Sequence, residues 1–183
     1  MSIDRTWIAM FSHTGSEIER ICKKLGRRPD KIITNNIPGR FDCAVDTRVS
    51  EMFYCRAKPE PVEYHRMFAR GLPVITLHGW MRIIPGDICE DYEIYNLHPG
   101  DVVKYPELKG KDPQKRAWEG EYDTVGCVLH RAIQEVDAGD IVAKRWTRNK
   151  FDTFEEMDGK LRDISVEMWV KFLSDYFSRD DNN

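Results

Sequence analysis

The sequence predicts an α/β fold: a mainly parallel, Rossmann-like sheet with helices on both faces. Two observations carry that prediction. Apolar, strand-like runs alternate with amphipathic helical segments over the first two thirds of the chain, the pattern of a parallel sheet joined by crossover helices. Gly26, Gly71 and Gly120 each close a helical segment, so the segments read as complete elements.

Trp7 to Phe11 is apolar throughout and is read as a buried first strand. A polar turn, Ser12 to Ser16, follows. From Glu17 to Leu25 the apolar residues Ile18, Ile21, Cys22 and Leu25 recur at helical spacing, with Ser16 as N-cap and Glu19 completing a capping box. Lys31 to Thr34 is a second strand, ending at Asn35-Asn36 and Pro38-Gly39. Arg40 to Lys58 is irregular, with a short strand at Met52 to Cys55. Pro59 and Pro61 open a helix with Val62, Tyr64, Met67 and Phe68 on its apolar face. Leu72 to Leu77 is a buried strand, His78 to Pro85 a loop, and Pro85 to Asp91 a short helix. Asp112-Pro113 starts a helix that runs to Glu119, with proline at the first helical position. Thr124 to His130 and Asp140 to Arg148 are strands. Thr153 to Phe177 is an amphipathic helix packed on the body, and Asp180 to Asn183 is a polar tail expected to fray.

With 183 residues the chain is expected to form one domain, spanning 1–183. A net charge of -3 argues against a general nucleic-acid binder. Met1 to Arg5 has no signal pattern, and no apolar run is long enough to span a bilayer. The five cysteines form no CxxC pair and no zinc spacing, so they are read as reduced, mostly buried thiols. The expectation is a cytoplasmic protein with no membrane, nucleic-acid or metal partner, either monomer or homodimer.

The most informative stretch runs from Ile94 to Tyr105. It begins as a strand and stops at Pro99-Gly100. Asn96 and His98 lie two residues apart and so share a face, a neutral donor beside a titratable one. A second candidate is the turn Gly15-Ser16-Glu17, where a helix N-terminus could hold an anion. His13, His65, His78 and His130 have no metal ligands at useful spacing and are read as structural. Lys109 to Arg116 holds four basic residues, read as a solvated loop and helix start.

In order along the chain, these segments resemble the folate-dependent formyltransferases, and within them the glycinamide ribonucleotide formyltransferases of purine biosynthesis. Ser12 to Ile21 is similar to the family's phosphate-binding turn. Gly79-Trp80-Met81-Arg82-Ile83-Ile84 resembles its folate-site segment, and Asn96-Leu97-His98-Pro99 its Asn-Ile-His-Pro hallmark. Lys104-Tyr105-Pro106, Gly126 to His130 and Glu135-Val136-Asp137-Ala138-Gly139 are similar to the loop and strands that follow. Glu17 stands where the family has asparagine, and a carboxylate is the wrong charge beside a phosphate. Gly100 to Val103 also departs from the family's pattern.

The resemblance implies a single formyltransferase domain that moves a formyl group from 10-formyltetrahydrofolate, without a metal, to a primary amine. Glycinamide ribonucleotide is the acceptor expected; an amino sugar nucleotide, a modified nucleotide amine, or water in a hydrolase are the alternatives. A non-catalytic folate- or nucleotide-binding protein is the alternative of another class. Asn96, His98 and Asp137 are implied to be catalytic. Asn96 would donate to the oxyanion, His98 would carry a proton, and Asp137 would orient His98 or a water and favour the imidazolium. Met81, Arg82, Ile83, Ile84, Glu135 and Val136 are implied to hold the folate, with Gly15, Ser16, Glu17 and Pro99 beside a phosphorylated amine.

Overall fold

The computed structural model describes residues 6–38, 43–68, 71 and 73–178. Gly39, Leu72, the segment 40–42, and the two ends expected to be signal-free and frayed (Met1 to Arg5, Asp180 to Asn183) lie outside the described residues. The elements follow in the order β1 (Trp7–Phe11), α1 (Ser16–Leu25), β2 (Lys31–Thr34), β3 (Met52–Tyr54), α2 (Pro61–Phe68), β4 (Val74–His78) and α3 (Gly86–Asp91). Next come β5 (Glu93–His98), a 3-10 turn at Pro106–Leu108, α4 (Pro113–Glu119), β6 (Thr124–Arg131), β7 (Ile141–Arg148) and α5 (Phe154–Ser178).

The strands form one sheet in the order β3-β2-β1-β4-β5-β6-β7. From β3 to β5 all pairings are parallel; β6 runs antiparallel to both β5 and β7. β1 sits between β2 and β4 and is buried along its whole length, hence its unbroken apolar sequence. The chain leaves β1 for β2 and β3 on one side and returns to β4 on the other. Ligands in open α/β sheets bind at such a reversal, beyond the carboxyl ends of the strands.

Apolar layers cover both faces. On one, α1 and α5 bury Ile18, Ile21, Leu161, Ile164, Trp169 and Leu173. On the other, Tyr64 and Phe68 of α2 and Ile88 of α3 pack with Ile8, Met10 and Ile75. Each such side chain contributes roughly 1.5–3 kcal/mol of burial. Val62, expected on the apolar face of α2, is instead exposed. β7 ends the sheet and leaves Ile141, Val142 and Trp146 exposed.

The start of α1 differs from expectation. Gly15, not Ser16, is the N-cap, with φ 70, and no side chain caps the helix. A Cβ at Gly15 would lie 2.6 Å from Val45 Cγ2, so glycine satisfies both the dihedral and the space. Glu19 makes no capping box. It pairs with the Arg28 guanidinium and accepts the Asp46 backbone N–H at 3.0 Å.

Candidate active site

β5 supplies the floor of the site. Its Asn96 lies opposite Leu77 of β4 and His130 of β6, and His98 lies opposite Val128. Asn96, His98 and His130 consequently share one face of the sheet. Beyond His98 the chain turns at Pro99-Gly100, and a Cβ on Gly100 would fall 2.8 Å from His98 Nε2 and 2.9 Å from Pro113 Cβ. A side chain there would move the imidazole.

The His98 ring is 5% exposed and both its nitrogens face oxygen: Nδ1 is 3.1 Å from Asp137 Oδ2 and Nε2 is 2.8 Å from the Leu108 carbonyl. Only an imidazolium donates to both. Asp137 Oδ2 also accepts the Gly110 N–H at 2.9 Å. Burial pushes the Asp137 carboxyl up, but hydrogen bonds from His130 and His98, the His98 charge and the Gly110 N–H outweigh it. The net effect holds it well below the usual carboxylate range.

Asp137 Oδ1 is 3.3 Å from Asn96 Nδ2 and 3.4 Å from His130 Nε2, and these two nitrogens are 3.2 Å apart. The triangle is nearly equilateral, so its corner at Asn96 is roughly 60°, half the ~120° between two hydrogens of a planar amide. The two Asn96 N–H groups therefore cannot both point straight at these neighbours, and Asn96 also lines the cavity. His130 donates from Nδ1 to the Arg131 carbonyl at 3.0 Å, which leaves Nε2 facing Asn96 and Asp137. The loop carrying Asp137 is tightly routed. Asp137 has φ 51, Arg131 N–H donates to the Asp140 carbonyl at 2.9 Å, and any Cβ on Gly139 would collide with the Arg131 carbonyl oxygen.

A cavity of about 480 Å³ opens above this cluster, within the ~300–1,000 Å³ of small-molecule sites. Asn96, His98, Pro99 and Asp137 line it, as do Met81, Arg82, Ile83 and Ile84 on one wall and Val136 on another. Met81, Ile83 and Val136 keep 47%, 65% and 45% of their surface exposed, apolar area suited to the faces of a flat ring. Ile84 is buried in the core. Ser12 Oγ accepts the Met81 N–H at 2.9 Å, and Arg82 donates to the Ala57 and Met81 carbonyls at 2.5 and 2.8 Å. The Arg82 charge thus fixes its own loop. Among the described residues no group of three or more histidine, cysteine and acidic side chains is placed to hold a metal ion.

Four of the residues singled out from the sequence do not line the cavity: Gly15, Ser16, Glu17 and Glu135. Glu135 is an exposed side chain 3.9 Å from Lys109 Nζ. Glu17 turns inward. Its Oε2 is 2.7 Å from His78 Nδ1, and Oε1 accepts the Ser165 hydroxyl. Burial pushes the Glu17 carboxyl up, but the His78 hydrogen bond and charge, the Ser165 hydrogen bond and the Arg20 charge hold it below the usual range. The first N–H of α1, on Ser16, is taken by Thr14 Oγ1 at 3.3 Å.

Three histidines read as structural have more specific places. His130 belongs to the Asn96–Asp137 cluster, His78 anchors Glu17, and His13 lines the cavity. Pairing of the 124–130 strand with β5 would have brought His130 to light, because it sits opposite Asn96.

The sheet order and the cavity beyond its strand ends are those of an α/β formyltransferase fold. Residues 50–173 match the formyl transferase family, and the chain belongs to that family. It is similar to the methionyl-tRNA formyltransferase of Thermotoga neapolitana, with 35% identity over 80 residues, 43% of this chain and 25% of that protein. It is also 30% identical over 141 residues to the trifunctional purine biosynthetic protein adenosine-3 of Gallus gallus, covering 74% of this chain and 12% of that protein. The chain spans only 25% of that Thermotoga neapolitana protein and 36% of the methionyl-tRNA formyltransferase of Thermotoga sp. strain RQ2. Among solved structures, phosphoribosylglycinamide formyltransferase from Anaplasma phagocytophilum superposes with a TM-score of 0.76 at 24% identity, over 92% of this chain and 84% of that one. A formyltetrahydrofolate deformylase from Pseudomonas syringae gives 0.72 at 20% identity, over 91% and 59%. These likenesses fix the fold.

Proposed function

We propose that this chain transfers a formyl group from 10-formyltetrahydrofolate to a primary amine. The observation that carries the reading is the Asn96–His98–Asp137 cluster, closed by His130, at the floor of an apolar-walled cavity. Formyl transfer needs a donor for the oxygen that gains charge, and the Asn96 amide, on the cavity wall, can supply one without bringing charge of its own. Removing such a donor typically costs about 3–4 kcal/mol in the barrier. His98, held by Asp137 and the Leu108 carbonyl, places a positive charge beside it. For His98 to give the oxygen a hydrogen bond of its own, the contact with Leu108 has to break. Met81, Ile83 and Val136 offer apolar surface to the folate ring.

The acceptor expected from the sequence is glycinamide ribonucleotide, and the family resemblance and the names of the similar structures support it. Glu17 weighs against a phosphate held at the α1 turn, because its carboxylate occupies the first helical turn and Thr14 takes the first N–H. Glycinamide ribonucleotide is therefore the first amine to assay rather than the conclusion. A second reading is hydrolysis, in which water replaces the amine. It is favoured by similarity to the proteins named formyltetrahydrofolate deformylase from Arabidopsis thaliana and Pseudomonas syringae.

The test is an assay of purified protein with 10-formyltetrahydrofolate, with and without amines, following tetrahydrofolate release and the mass of the amine product. Formylated amine, formed only when amine is present, is expected. An intact donor under every condition would sink the reading, and formate released without amine would move it to the hydrolase.

A further inference from the structure

We infer that His13 is a catalytic residue that takes the proton lost by the attacking amine. The inference rests on the formyl-transfer reading and adds a group to it. The chemistry sets the requirement. The amine nitrogen forms a bond to the formyl carbon, and the carbonyl pair moves onto oxygen beside Asn96. The nitrogen, now cationic, must lose a proton to a base. The bond from the formyl carbon to the folate nitrogen then breaks, and that nitrogen keeps the electron pair and receives one proton. One proton leaves and one is delivered, so a single base that accepts and returns it balances the reaction.

The titratable groups on the cavity wall are His13, Arg82, Lys111 and Asp112, with His98, His130 and Asp137 at the floor. The clustered groups are already committed. His98 has an oxygen acceptor at each nitrogen, and His130 points one nitrogen at the Arg131 carbonyl and the other at Asn96 and Asp137. Asp137 faces Asn96, His98, His130 and the Gly110 N–H. Arginine and lysine ammonium groups are donors.

His13 differs from all of these. Its imidazole is exposed and makes no hydrogen bond or ion pair with any described residue. Its backbone is pinned beside the cavity, because the His13 carbonyl accepts the Asn36 side-chain amide at 2.5 Å. Gly79, at φ 66, lies beside the ring; a Cβ there would sit in ordinary van der Waals contact with His13 Cδ2 at 3.6 Å. The residue lies just past the end of β1, beside the end of β4, and β4 is the strand that pairs with β5 at Asn96. An imidazole that no described residue engages, lining the cavity and open to water, is the kind of group suited to accept a proton and return it.

The test compares wild type, His13→Gln and His13→Ala across pH, with 10-formyltetrahydrofolate and whichever acceptor the wild type uses, water included. His13→Gln is expected to lower kcat by about 10²–10⁴-fold with the donor KM and thermal midpoint unchanged, and to abolish the acid limb of kcat/KM in the imidazole range. Added imidazole is expected to restore part of the His13→Ala rate. A His13→Gln enzyme with wild-type kcat and pH profile overturns the inference while leaving the formyl-transfer reading intact. A donor KM that rises with kcat unchanged also overturns it, since His13 would then only shape the pocket. Failure of the wild type to consume donor with any amine or water overturns both.

Discussion

The molecule contains two histidine–carboxylate pairs at the carboxyl ends of neighbouring parallel strands. His98 of β5 meets Asp137 at 3.1 Å, and His78 of β4 meets Glu17 at 2.7 Å. Both imidazoles are buried, and both carboxyls are held below their ordinary range. What differs is the second nitrogen of each ring. His98 Nε2 faces a carbonyl, so the ring needs both protons. His78 Nε2 faces the Thr76 hydroxyl at 2.8 Å, which can donate to it while accepting from Trp7 Nε1 at 2.8 Å. His78 lies under Trp169, with ring centroids 4.9 Å apart, and ties β4 to α1 through Glu17. Glu17 in turn reaches Ser165 of α5. Bonding to a carboxylate does not by itself single out a candidate site; His98 and Asp137 also line the cavity, whereas His78 and Glu17 do not.

Substitutions can break that contrast. His98→Ala is expected to reduce turnover by about 10²–10⁴-fold, with donor binding changed little, because it removes the positive charge beside the reacting oxygen. Turnover near wild type would end the assignment. His78→Ala leaves the Glu17 carboxylate unpaired. It is expected to destabilise the fold by about 2–4 kcal/mol, below the range for fully enclosed pairs because Glu17 keeps 29% of its side-chain surface exposed. The thermal midpoint should fall by roughly 10 °C, while activity per folded molecule at low temperature is retained. A variant with an unchanged midpoint and lost turnover would exchange the roles of the two pairs.

The smallest effect concerns pH. The Asp137 carboxyl is depressed in the fold, so its contribution to stability is present above the unfolded value of ~3.9 and is lost as pH falls toward the folded one. Between pH 5 and 3, wild type should lose more stability than Asp137→Asn does, as read by urea midpoints. Parallel losses in the two proteins would remove the electrostatic account of the pair.

How much of this was legible in the sequence follows from the range of the interactions. β1, β4 and the α4 start, with Pro113 at its first turn, are signalled within a few residues and were read nearly to their ends. Asn96 and His98 were legible for the same reason, since a strand places them on one face. Glu17 was not. It is recognisable as an acid at a helix start, but its partners His78 and Ser165 lie 61 and 148 residues away. Ser16 misled because Ser-x-x-Glu is a good local capping pattern, whereas Glu19 is drawn off by Arg28 and the Asp46 N–H. His130 stayed hidden because its neighbour is set by the one strand that runs against the others.

The route of the loop after β6 has a consequence for how this protein tolerates change. Asp137 reaches His98 only because Gly139 passes against the Arg131 carbonyl with no Cβ between them. In the protein's mutational landscape, position 139 should therefore be as unforgiving as the acid it places, although it has no side chain to offer a ligand. Selection at that position would act on an absence of atoms, preserving a gap so that a carboxylate two residues earlier keeps its address.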